Sequence, residues 1–363
     1  MKRLLSILLA LVLTFSLAAC GKDSGKDTGK ETGKETEQEK ETEKETGKES
    51  AEAGKIAKVG LGVTVSLAKS KDQDDKKMAN AQSDTTVAAV ALDADGKIVK
   101  VIIDTAQDVV PVKDGAFDAK LQFKTKKELK EDYGMKATSQ KTGLGKEWYE
   151  QIEFLENYLV GKTADEVKNI PVDDKSAPTG ADLKAGATIK IASYQKAIAN
   201  AIANAVEVQK AEKIGLGIVT TFGHATKQKD AKGGASVQFE DNINMVALDA
   251  DGKVVYSKTD VAQNTVAFTP EGKLDKFNAE GTTKLGLGEK YGMRATSAKA
   301  GIGKEWFEQA EAYDKWLVGK NKEDVSGMKL EKGKATDADL KAGVTITISD
   351  FQAATVEAFG VTK

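Results

Sequence analysis

Tyr133-Gly-Met-Lys-Ala-Thr-Ser139, followed by Gly143-Leu-Gly-Lys-Glu-Trp148 and Glu150-Gln151, returns 158 positions later. The second copy is Tyr291-Gly-Met-Arg-Ala-Thr-Ser297, Gly301-Ile-Gly-Lys-Glu-Trp306 and Glu308-Gln309. Agreement this close predicts one module used twice, so domain organisation comes before any motif. Further landmarks recur in the same order. Val59-Gly-Leu-Gly62 matches Ile214-Gly-Leu-Gly217, and Leu92-Asp-Ala-Asp-Gly-Lys97 matches Leu248-Asp-Ala-Asp-Gly-Lys253. Ala181-Asp-Leu-Lys-Ala-Gly186 matches Ala338-Asp-Leu-Lys-Ala-Gly343. We place the first module at residues 55–207 and the second at residues 208–363.

Composition narrows the chemistry. With 54 Lys and Arg against 56 Asp and Glu, the net charge of -2 gives no reason to expect a nucleic-acid partner. One His and one Cys exclude an internal disulfide, a Cys-x-x-Cys redox pair and a multi-His zinc site. His224 reads as a loop or surface residue.

The N-terminus reads as an address. Lys2-Arg3, an apolar run from Leu4 to Leu17 and Ala18-Ala19 describe a secretory signal peptide over residues 1–20, too short for a span of about 20 residues. Leu17-Ala-Ala-Cys20 resembles the lipobox of bacterial lipoproteins, which implies a lipidated Cys20 and a membrane anchor on the extracytoplasmic face. Residues 21–54 are dominated by Gly, Lys, Glu, Thr and Ser, and such a tract cannot bury enough to order itself. It is expected to be a disordered tether.

Within a module the pattern predicts α+β, with strands early and helices late around a mainly antiparallel sheet. A strand is expected at 63–68 and a hairpin from 85–92 to 97–104 across Asp95-Gly96. A short helix follows near 126–131, then an amphipathic helix over 146–160 with Trp148, Ile152, Leu155 and Leu159 on one stripe. Thr163-Ala-Asp-Glu166 has the capping-box form. Thr188 to Ala192 reads as a strand, and Ser193 as the cap of a last helix that runs on through Ala205 and Val208.

Candidate site residues fall in two groups. The repeated Tyr-Gly-Met loop and helix start supply Tyr133, Thr138, Ser139 and Trp148, with Tyr291, Thr296, Ser297 and Trp306, as pocket residues. Both tryptophans also suit core packing. Gly143-Leu-Gly-Lys146 fails the phosphate-loop spacing, because Glu147 stands where a hydroxyl is needed. No paired carboxylate spacing supports a hydrolase built on Glu147 and Asp182.

The second group is Asp182-Leu-Lys-Ala-Gly-Ala-Thr188 and Asp339-Leu-Lys-Ala-Gly-Val-Thr345. Together with the hairpin Ala89-Val-Ala-Leu-Asp-Ala-Asp-Gly-Lys-Ile-Val-Lys-Val101, these resemble the FMN-binding domain family. In that family a flavin transferase esterifies the last Thr of an Asp-x-x-Ser/Thr-Gly-Ala-Thr motif with FMN phosphate. The resemblance implies covalent FMN on Thr188 and Thr345, beside Gly186, Gly343, Asp182 and Asp339. Ala185 and Ala342 depart from the family's Ser/Thr, and Val344 from its Ala. The resemblance implies electron transfer with a membrane redox partner, the flavin carrying the chemistry. The other reading open at this point is a non-redox surface protein that binds a small molecule or peptide through the Tyr-Gly-Met loop. In neither reading is the chain itself expected to be a catalyst.

Overall fold

A computed structural model describes residues 55–230 and 233–363. The expected signal peptide, Cys20 and the tether lie outside those residues. Three long antiparallel strands open the first half: β1 (Lys58–Ser66), β2 (Ala79–Leu92) and β3 (Ile98–Val112). Asp95-Gly96 makes the expected turn. Gly96 has φ 79°, where a side chain is disfavoured, and the Asp93 carboxylate accepts from the N–H groups of Asp95 and Lys97.

Helices follow: α1 (Lys126–Leu129), α2 (Lys136–Gln140), α3 (Trp148–Leu159), α4 (Ala164–Lys168), α5 (Ala181–Lys184) and α6 (Ala192–Ala203). Thr163 and Glu166 form the capping box that their spacing predicts. A short β4 (Val206–Glu207) completes a sheet ordered β3-β2-β1-β4.

The second half again has three long strands followed by helices, but its short fourth strand precedes the helices and pairs with the third strand rather than the first. Its strands are β5 (Lys213–Phe222), β6 (Ser236–Leu248), β7 (Val254–Phe268) and β8 (Leu274–Asp275), in sheet order β5-β6-β7-β8. Its helices are α7 (Lys284–Leu287), α8 (Arg294–Ala298), α9 (Trp306–Leu317), α10 (Lys322–Ser326), α11 (Ala338–Lys341) and α12 (Ser349–Ala358). The α+β class with antiparallel sheets is as the sequence predicts.

Val87-Ala-Ala-Val-Ala-Leu92 is apolar without alternation because β2 is buried on both faces. Ala88, Val90 and Leu92 meet the helices, packing with Trp148, Ile152, Leu155 and Ile198. Val87, Ala89 and Ala91 point the other way, into a core shared with Ile214, Leu216, Ile243 and Met245 of the second half. The sheets thus face each other, each with helices on its outer side. Backbone bonds cross between the halves as well: Leu67 N–H donates to Ala279 O at 2.8 Å, and Gly281 N–H to Val65 O at 3.3 Å.

Three local expectations are corrected. Thr188 to Ala192 is not a strand: Ile189 and Ile191 are buried, while the Thr188 N–H goes to a side chain, so no ladder forms. The last helix starts at Ala192 after Ile191, which places Ser193 inside it rather than at its cap. That helix also stops at Ala203. Asn204 turns its side-chain amide to Leu61 O at 3.2 Å, and the chain returns as β4 to pair Val206 with Val59.

Candidate functional site

In each half, three loops converge on one buried glutamine. Gln151 on α3 is fully buried, and its Oε1 accepts from the Thr188 N–H at 2.9 Å and lies 3.4 Å from Thr188 Oγ1. Its amide donates to Lys146 O at 3.1 Å and reaches Met135 Sδ at 3.5 Å. Ser139 Oγ donates to the same Lys146 carbonyl at 2.5 Å. Glu147 caps α3 and accepts from the Met135 N–H at 2.7 Å. One buried amide therefore ties the Thr188 loop to the Tyr-Gly-Met loop and to the start of α3.

The second half has the same arrangement. Gln309 Oε1 accepts from the Thr345 N–H at 3.0 Å and lies 3.3 Å from Thr345 Oγ1. Its amide reaches Met293 Sδ and Lys304 O, and Ser297 Oγ donates to Lys304 O at 2.5 Å. Sequence reasoning passed over both glutamines, although their recurrence in the repeated stretch marked them.

Thr188 and Thr345 are half-buried on loops, and Ser139 and Ser297 are buried. Thr138, Thr296, Asp182 and Asp339 are exposed, and neither aspartate bonds to the threonine of its loop. The tryptophans lie in the two cores, 1% and 2% exposed. Trp148 Nε1 donates to Tyr194 OH at 2.9 Å, and Trp306 meets Phe351 edge-on at 5.9 Å. Tyr133 and Tyr291 are half-buried, each edge-on to its tryptophan and donating to Gln107 and Gln263 respectively. Above each pair sits a buried lysine that the sequence reading did not single out. Lys126 Nζ is 4.9 Å from the Tyr133 ring centre, and Lys284 Nζ is 5.2 Å from that of Tyr291. Burial pulls the Lys126 ammonium down to about 8. His224 is exposed in a turn.

The threonine loops carry groups that suit a phosphate. A Cβ at Gly186 would fall 2.1 Å from the Phe154 ring, so glycine lets the loop lie against that ring. Lys146 holds its ammonium 5.3 Å from the centre of the same ring. At Gly343 the opposing residue is Ala312, and Lys304 Nζ lies 3.6 Å from where a Cβ would sit. Each loop thus offers a hydroxyl, a close backbone and a cation, the groups a phosphoester needs. Thr188 differs from Thr345 in one respect: Thr142 Oγ1 lies 3.1 Å from its hydroxyl, and Ala300 stands in the matching place in the second half.

Over 137 aligned residues the chain is 37% identical to a protein of Desulfitobacterium hafniense named chlorophenol reductase. That relative carries a redox name. The alignment covers 33% of this chain and 39% of the relative, so the likeness spans about two-fifths of that protein. No family model matches the chain, and no solved structure matches it. Among the described residues no helix is long and apolar enough to cross a membrane, and no three His, Cys, Asp or Glu side chains are grouped to hold a metal ion.

Proposed function

We propose that this chain is a lipid-anchored, extracytoplasmic electron carrier built from two homologous FMN-binding modules, residues 55–207 and 208–363. Cys20 is its anchor, residues 21–54 its tether, and Thr188 and Thr345 its flavin acceptors after action by a flavin transferase. One observation carries the reading: twice, after the same Asp-Leu-Lys-Ala-Gly sequence, a loop threonine is fixed by a buried glutamine beside a lysine. The redox name of the relative supports it. Bound FMN would supply one- and two-electron transfer to a membrane redox partner. The chain's own residues would do the holding. Gln151 and Gln309 fix the threonine backbone, Gly186 and Gly343 allow close approach, and Lys146 and Lys304 balance phosphate charge.

Co-expression with a flavin transferase, denaturation and in-gel fluorescence test this directly. Thr188→Ala and Thr345→Ala are each expected to lose about half the fluorescence, since one of two equal sites is removed, and the double variant all of it. Full labelling of the double variant, or a dark wild-type band, would overturn the assignment. Colour that washes out on denaturation would transfer the case to a ligand held by the Tyr-Gly-Met loop. For the anchor, Cys20→Ser should move the protein from the membrane fraction to the soluble one, and retention in membranes would refute lipidation there.

A further inference from the structure

Between the two sheets lie two carboxylates, one from each half. Asp108 on β3 is 1% exposed and Asp241 on β6 is fully buried. Thr220 Oγ1 donates to Asp241 Oδ1 at 2.9 Å and lies 3.5 Å from Asp108 Oδ2, so one hydroxyl touches both acids. Thr85 donates to the other oxygen of Asp241. Asp108 Oδ1 has no N–H or hydroxyl partner. Among the described residues, no lysine, arginine or histidine pairs with either acid. The other charges acting on the pair are those of Asp84 on β2 and Glu240 on β6, also acidic; Asp84 is itself paired with Lys69 at 2.8 Å.

Two ionised carboxylates cannot stay buried side by side without a cation, whereas one shared proton turns the repulsion into a hydrogen bond. The fold contains its own neutral comparison. By position from the hairpin turns, Asp241 corresponds to Thr85 and Asp108 to Asn264. Asn264 makes two ordinary 3.0 Å bonds to the Thr282 backbone. The acid pair therefore belongs to one side of the inter-sheet core and is not part of the repeat.

We infer that Asp108 and Asp241 share one proton across the interface, and that this proton makes the joint between the halves tight in acid and looser in alkali. Burial first, and the charge of Asp241 second, hold the Asp108 carboxyl well above its ordinary 3.8; burial also raises Asp241. The folded chain keeps a proton that the unfolded chain releases near 3.8. The pair's stabilising effect is thus full below that value and is lost as pH rises through the raised folded value. Burial likewise pushes Asp104 and Asp260 up to about 6 and Glu357 up to about 8, which adds slope of the same sign. A variant must therefore isolate the pair.

Asp108→Asn keeps a donor to Asp241 and removes the proton shared between the two acids. Urea midpoints of the mature chain are measured at about pH 3.5, below the ordinary carboxyl value of 3.8, and at about pH 8. The two proteins should match in acid. The wild type should fall further on going to pH 8, leaving the variant the more stable there. Curves that stay parallel across the range would overturn the proposal. Infrared spectra of wild type carrying isotope-labelled aspartate give a second readout should the variant fail to fold. A protonated aspartate band that outlasts the titration of Asp104 and Asp260 at about 6 is expected, and its absence would overturn the shared proton.

Discussion

Gly62→Ala should lower stability by about 3 kcal/mol or more, and Gly60→Ala by a similar amount. A Cβ at Gly62 would lie 2.0 Å from Ala197 O and 2.4 Å from Ala201 N, and one at Gly60 would lie 2.0 Å from Ala201 O. These are backbone atoms of α6, so no side chain can swing aside; the whole helix must lift from β1. Lifting it opens the cluster in which Ala197, Ile198 and Ala201 pack against Ala88 and Val90. The same contact recurs at Gly215 and Gly217, whose added Cβ atoms would meet Ala358 O and Ala354 O at 2.1 and 2.0 Å. Gly96→Ala is the control, since nothing lies within 4 Å and only its φ of 79° opposes the change. That variant should cost about 1 kcal/mol. Urea unfolding checks the order, and a Gly62→Ala midpoint equal to that of Gly96→Ala would refute the packing argument.

Glu156→Ala should cost about 3 kcal/mol. Glu156 on α3 is 1% exposed and accepts from the Ile103 N–H at 2.7 Å, Lys127 Nζ at 2.6 Å and Lys363 Nζ at 2.5 Å. Removing one member of a buried ion pair costs about 3–5 kcal/mol. The low end applies because the lysine side chains are 21% and 33% exposed and can turn to water. The Ile103 N–H cannot, so Glu156→Gln, which preserves that acceptor, should be clearly milder. Equal losses in the two variants would mean that the backbone bond contributes little. At the matching position of the second half, Asp314 is met by the neutral hydroxyls of Ser257 and Thr259 instead.

These two sites show what the sequence can and cannot disclose. The recurring Val-Gly-Leu-Gly and Ile-Gly-Leu-Gly were visible as landmarks. Their spacing of two puts both glycines on one strand face, which is the signature of a close neighbour. The hairpin at Asp95-Gly96 and the cap at Thr163 were legible because each depends on a few adjacent residues. Thr188-Ile-Lys-Ile191 misled for the same reason: its β-branched residues are local evidence for a strand, and the Gln151 side chain that takes the ladder's place lies 37 residues away. Glu156 looked like one more polar residue on a helix, since its partners come from β3, α1 and residue 363. The face-to-face sheets were hidden because a strand apolar on both sides reads alike whether its second cover is a helix or another sheet. Of the proposed flavin loops, the threonines, the glycines and Lys146 were legible and the supporting glutamines were not; nor were the buried Lys126 and Lys284 over the tyrosine–tryptophan pairs.

The crossing bonds between the halves also bear on how the chain reaches its fold. While synthesis has passed only the first half, the inner face of β1 to β3 has no cover, and Val65 and Leu67 lack the backbone partners that come from residues 279–281. Pairings over such sequence distances form slowly, and an apolar sheet face left waiting is prone to aggregate. The first half should therefore be a client for holding chaperones until the second emerges, with the final core closing late and in one step.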